Sequence, residues 1–347
     1  MANTQGRLAY ADVLRVIATL AVIIIHLTGA WLETLDAASW NWMVCNLYNG
    51  LSRWAVPLFV MLSGMFLLDP DRPLGAGKLL RHMLRLGIAL AVWGLVYALV
   101  EQVAAAGALT PAALAAAVEA VFRGHTHFHL WFIYMMLGLY LVTPLLRALI
   151  RGAEKRDLHY FFLLYAVINL FLPVFLLFRP SELIRVHLAM TYLATGTLQY
   201  VGYYVAGYYL VKYPPKGTLR NVLLGLGVLG AAITVLGTAY LPAARDRLLL
   251  YVYYSPNVAA MAVAVFVLAQ SAAGNIRGRW WGRVSQLTFG IYLVHMLVIK
   301  LFTHFKIDIM VLPPLIGTPL LAAAIFVCSL VLAWPISRLP VLGRYLT

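Results

Sequence analysis

The chain has 347 residues, of which 63% are hydrophobic and 11% charged, and its mean hydropathy is +0.87. Repeated apolar runs of about twenty residues exclude a soluble globular protein and define an all-α polytopic membrane protein. The net charge of +14 does not point to nucleic acid, because Lys and Arg recur in short loops between the apolar runs and form no single patch.

The first run, 8–32, has no small-residue cleavage site after it and is expected to be a retained helix, not a signal peptide. It carries Arg15 and His26. At roughly 100° per residue, with Arg15 as zero, His26 falls near 20°, Thr19 near 40°, Asp12 near 60° and Glu33 near 0°. The strongly polar side chains thus share one stripe, with His26 about 16 Å above Arg15 along the axis. Ionisable groups are costly in a bilayer core and mark pathways or reaction sites.

Further spans are expected at roughly 50–68, 79–104, 129–150, 158–178, 190–211, 219–240, 252–272, 285–304 and 312–334, a bundle of about ten transmembrane helices in one membrane domain over 1–347. The Ala-rich stretch 110–123 is too short to cross and reads as a re-entrant or interfacial helix, with Glu119 and Arg123 as an i,i+4 pair. Cys45 and Cys328 lie far apart and imply no disulfide. If both termini share a side, that side holds seventeen Lys and Arg and the other eight, which makes the termini cytoplasmic. Arg15 then lies toward the cytoplasm and His26 toward the outer face.

Each polar group admits two readings. His26 as a neutral imidazole can take a proton from an attacking hydroxyl, or it can be a buried histidine satisfied by a neighbouring helix. Arg15 can meet an anion or simply pair with Asp12. The cluster Lys78, Arg81, His82 and Arg85 at the start of the third span suits phosphates, although inner-face cations are expected for orientation alone. A molecule like coenzyme A, with its polyanionic head on Arg81 and Arg85, would bring a thioester at the end of its thin arm close to His26. His125, His127 and His129 alternate before the fourth span, but with no carboxylate or Cys partner in view no metal is expected. His129 and Trp131 suit an outward-facing pocket, with Glu33 at the outer end of the first-helix stripe as a further acceptor contact. Other Trp and Tyr fit the interfacial belt. His295, in the ninth span, reads as a structural hydrogen-bonder.

The segments Tyr10-ADVLRVIATLAVIII-His26, Val56-PLFVMLSGMFL-Leu68, His129-LWFIYMMLGLYLVTPLL-Arg147, Gly202-YYVAGYY-Leu210 and Ser285-QLTFGIYLV-His295, in this order, resemble the acyltransferase type 3 family, in particular its surface-polysaccharide O-acetyltransferase branch. The resemblance spans nearly the whole chain. It implies transfer of an acyl group, expected to be acetyl, from cytoplasmic acetyl-CoA to a hydroxyl of a cell-surface or lipid-linked glycan at a bacterial inner membrane. It assigns His26 as the catalytic residue and Arg15 as donor support. The family's Arg-x-x-Arg pair on the third helix is not matched here; His82 and Arg85, or Lys78 and Arg81, occupy that spacing. Membrane lipid and the glycan are the implied partners, and a homo-oligomer is allowed. The rival reading is a transporter or flippase of a lipid-linked saccharide; the paired broken helices typical of transporters are not evident in the sequence.

Overall fold

The computed structural model describes residues 4–123, 127–177, 196–241, 249–273, 280–340 and 342–347. These are helical, with no strand among them. In chain order the helices are α1 (Thr4–Thr34), α2 (Trp40–Ser52), α3 (Ala55–Leu67), α4 (Ala76–Ala106), α5 (Pro111–Phe122), α6 (Trp131–Gly152), α7 (Lys155–Tyr165) and α8 (Leu172–Leu177). They continue with α9 (Leu198–Lys212), α10 (Gly217–Tyr240), α11 (Pro256–Ser271), α12 (Trp280–Ser285), α13 (Thr288–His304), α14 (Pro314–Ser337) and α15 (Gly343–Leu346).

Among the described residues seven helical stretches are long and apolar enough to cross a membrane. The three other expected spans are the shorter helices α9, α11 and α13, and the expected start of the sixth span near 190 lies outside the described residues. The expected second span, 50–68, is too short. Its crossing begins at Trp40, because α2 and α3 run on through a break at Arg53 and Trp54. Ser39 caps α2 by accepting from the Trp42 N–H at 3.1 Å. The asparagines that disguise α2 in the sequence are tied inside the bundle. Asn49 Nδ2 donates to the Ile25 carbonyl (3.1 Å) and to Thr28 Oγ1 (2.9 Å), and Asn46 Nδ2 donates to the Val235 carbonyl (2.9 Å). Such side-chain bonds join helices where apolar contact alone gives little direction.

Close backbone approach sets the centre of the bundle. A Cβ on Gly64 of α3 would stand 1.8 Å from the Tyr204 carbonyl oxygen of α9, and one on Gly207 would stand 1.8 Å from that of Met61. Small residues at matching heights let the two helices touch through their backbones. Arg147, one of the seventeen Lys and Arg counted for the inner side and the last residue of the family-like segment from His129, is buried. Its guanidinium donates to the carbonyls of Leu67, Asp69 and Arg72, each at 2.7 Å, and so satisfies orphan acceptors where α3 ends. The 110–123 stretch forms α5, capped by Thr110 and packed on α4, with Arg123 and Glu119 paired at 2.6 Å. The C-terminal α15 also packs on α4, and Arg85 donates to the Thr347 carbonyl. Asp12, near the start of the chain, and Thr347, at its end, therefore lie at the same end of the bundle, around α12 and the first turn of α13.

Candidate active site

The stripe on α1 faces a cavity of about 550 Å³ enclosed by α1, α3, α4, α6, α12 and α13. Thr19 is buried with its hydroxyl donating to the Arg15 carbonyl at 2.8 Å and is not among the lining residues, but Asp12, Arg15 and His26 all line the cavity over about four helical turns. Glu33 does not. It is exposed beyond the cavity, because the helix rises past the enclosing helices before the stripe returns. Of the basic cluster on α4, His82 and Arg85 line the cavity, whereas Lys78 and Arg81 are exposed outside it. Arg81 Nε donates to the Gly77 carbonyl at 3.2 Å. His129 and Trp131 line the cavity at its His26 end.

The Arg15 end is ordered around guanidiniums. Arg15 reaches Asp12 Oδ1 at 3.1 Å and Ser285 Oγ at 3.5 Å, and Ser285 in turn donates to the same carboxylate oxygen at 2.7 Å. Arg15 therefore pairs with Asp12 and also borders the cavity. Its guanidinium stands over the Phe66 ring at 5.1 Å, and that of Arg85 over Phe289 at 5.3 Å. His82 lies edge-on to Tyr140 with ring centres 6.2 Å apart. Two guanidiniums thus border this end, Arg15 beside the Asp12 carboxylate and Arg85 beside the Thr347 carbonyl, and their N–H donors suit an anionic or strongly polarised group.

The other end is built of imidazoles and aromatic rings. His26 lies against Phe128 (5.4 Å between ring centres) and His295 (5.2 Å). His295 Nδ1 is 2.5 Å from the Tyr292 carbonyl and must donate to it, so Nε2 is the free basic nitrogen; it is buried without a hydrogen-bond partner among the described residues. His129 Nε2 is in the same condition. The Nδ1 atom of His129 is 2.7 Å from Nδ1 of His127, and its backbone carbonyl accepts from the Tyr292 hydroxyl at 2.5 Å. His127 Nε2 lies 3.8 Å from Glu101, which also takes the Lys300 ammonium at 3.2 Å. Burial pushes the His127 imidazole down to about 4, with Lys300 adding to the shift and Glu101 opposing it. Four histidines thus stand in a row from the cavity to the α4–α13 surface.

Sequence reasoning placed His26 and His129 at the site but missed the other two members of this row. His295 was expected as a structural bonder, and His127 only as part of an alternating trio whose first member, His125, lies outside the described residues. A histidine in an apolar span was the available signal, but its distance from His26 depends on how α13 packs against α1. Ser285, Tyr140 and Tyr292 gave no signal, since hydroxyls are common in membrane helices. Trp131 stacks on Tyr253 with ring centres 5.8 Å apart and planes 20° apart, a more organised aromatic surface than an interfacial belt requires.

A helical bundle with several helices long and apolar enough to cross a membrane, around a cavity with guanidiniums at one end and imidazoles at the other, is the architecture of a multi-pass membrane protein, and the cavity is its candidate site. The family model described as an acyltransferase domain, acyltransferase type 3, matches residues 8–338, and the chain belongs to that family. Membership supports a membrane acyltransferase activity in general terms. No curated protein and no solved structure gives a significant match to the chain.

Proposed function

We propose that the protein moves an acetyl group from cytoplasmic acetyl-CoA to a hydroxyl of a cell-surface or lipid-linked glycan, acting in a bacterial inner membrane with both termini inside. The observation that carries this reading is one continuous cavity bordered by Arg15 and Arg85 at one end and by His26 at the other. A thin thioester arm extended along α1 would cover the interval of about 16 Å between Arg15 and His26. The nucleotide head would then lie at the mouth, near Arg85 and His82, with the exposed Lys78 and Arg81 as looser outer contacts.

His26 acts as the base. It accepts the acceptor's O–H proton as the oxygen attacks the thioester carbonyl, and it returns that proton to the departing sulfur. The tetrahedral intermediate carries negative charge on oxygen, which a fixed cation or N–H donor in a dry cavity stabilises strongly. Arg15, fixed by Asp12 and Ser285, holds the arm in place. His129 and Trp131 border the acceptor side. A transporter or flippase would use a polar cavity too, but it gains nothing specific from a base at the far end of a cavity that begins at guanidiniums.

Radiolabelled acetyl-CoA given to the purified protein with native membrane glycans tests the reading. Wild type is expected to release CoA and label glycan. His26→Ala should retain acetyl-CoA binding and lose about 10²–10⁴-fold in rate, and Arg15→Ala should weaken both binding and rate. Absence of CoA release by the wild type, together with saccharide transport in proteoliposomes, would replace this proposal with the transporter.

A further inference from the structure

His26 borders two spaces. Besides the main cavity, it lines a second chamber of about 190 Å³ with Trp31, Phe302, Thr303, Asp308 and Ile325 among the walls. Along α1 the two spaces stand in series: the first is lined by Asp12, Arg15 and His26, the second by His26, Leu27, Ala30 and Trp31. The second chamber therefore continues from His26 in the direction away from Arg15. Ala30, Thr303 and Ile307 in its wall are exposed, so it meets the surface at that far end.

The turn that closes the chamber is held in a demanding conformation. Lys306 has φ 59°, in the left-handed region that non-glycine residues rarely adopt. Here α13 ends with Ile307 N–H donating to the Phe302 carbonyl (2.9 Å) and Lys306 N–H to that of Thr303 (2.9 Å), the paired bonds of a Schellman ending. Asp308 then accepts from the Met310 N–H at 2.7 Å, and Gly317 of α14 packs so closely that a Cβ would stand 2.4 Å from the Ile309 carbonyl oxygen. The reversal thus places Asp308 and Ile309 on the chamber wall and is packed tightly against α14.

We propose that this second chamber is the acceptor site and takes one neutral sugar ring, whose hydroxyl reaches His26 from the side opposite the thioester. The inference rests on the donor reading above and adds the acceptor's class and route. Trp31 and Phe302 offer apolar faces to a ring; Thr303 and Asp308 offer hydrogen bonds to its hydroxyls; among the described residues no Lys or Arg lines the walls. That set rejects a uronate or phosphate and suits a polyol, and the volume holds one ring, not a chain. The sugar O–H bond breaks with its proton passing to His26, the new O–C bond forms to the acetyl carbonyl, and the C–S bond breaks with the electron pair on sulfur. His26 then protonates that thiolate. One hydroxyl and one thioester become one ester and one thiol.

The test uses full-length protein in membrane vesicles of the cells that carry it, loaded with radiolabelled acetyl-CoA. Ala30→Trp fills the chamber mouth, and Thr303→Cys admits an impermeant charged methanethiosulfonate from outside. Both should cut glycan labelling about tenfold or more, relative to wild type and to the unmodified cysteine variant, while acetyl-CoA binding to the purified proteins stays within about twofold. Acid hydrolysis should then release label on a neutral sugar. Intact acetyl-CoA binding with unchanged transfer would overturn the chamber assignment alone, as would loss of binding and transfer together, or label on an acidic sugar. Failure of the wild type to bind acetyl-CoA would overturn the donor reading, and this assignment with it.

Discussion

Asp12 decides how Arg15 can act. The guanidinium has five N–H donors, yet its contacts to Asp12 and Ser285 both run through one terminal nitrogen. The side chain is thereby fixed in direction while donors remain for a cavity ligand. Asp12→Asn keeps the shape and removes the charge that anchors Arg15; acetyl transfer should fall about tenfold in kcat/KM, less than for Arg15→Ala. Equal losses in the two variants would argue that Asp12 itself is needed in the reaction. His127 gives a separate outcome at the same scale. Its folded imidazole titrates at about 4, below the ordinary value of 6.5, so between those values the unfolded chain binds a proton that the folded protein does not. Stability is therefore full above 6.5 and declines as pH falls toward 4. Thermal melting in detergent across that window should show a shallower decline for His127→Gln than for wild type, and parallel curves would exclude the histidine as the cause.

Among the elements, the pair α3 and α9 is the most sensitive to added volume. Gly64→Ala and Gly207→Ala each force a methyl onto a carbonyl of the opposing backbone. Each is expected to cost about 1–3 kcal/mol by overpacking, read as a lower melting temperature, whereas Gly87→Ala, with open space around its Cβ, should melt like the wild type. Arg147 does comparable work at the end of α3. Arg147→Met leaves three carbonyls without their donor, a loss of about 1–3 kcal/mol for each group that stays dry. Arg147→Lys should recover only part, since one ammonium cannot match the planar fork. The sequence marked Arg147 as an inner-face charge because nothing local distinguishes a cation that faces water from one that folds back over a loop.

For the molecule as a whole, the cavity separates cations that belong to the site from cations that only flank it. Arg85 and His82 border it, and Lys78 and Arg81 stand outside. Arg85→Ala is expected to raise the dissociation constant for acetyl-CoA about tenfold or more, and Lys78→Ala with Arg81→Ala together only a few-fold and in a salt-dependent way, as screened exposed charges behave. Titration calorimetry at two salt concentrations separates the two cases; a larger loss in the double variant would move the head group out to the surface.

The helical class, the position of most spans, the shared stripe of Arg15 and His26 and the family resemblance were all legible in the chain, because each depends on residues a few positions apart or on a short ordered pattern. The early start of the second span was not, since Asn46 and Asn49 look like loop residues until Val235 and Ile25 supply their partners. Nor could sequence reasoning divide the basic cluster, join His295 and His127 to His26, or place a second chamber behind that imidazole. Each of these depends on the angle and height at which one helix packs against another, which side chains from distant segments set jointly. Periodicity states which way a residue faces on its own helix; only packing decides what stands opposite.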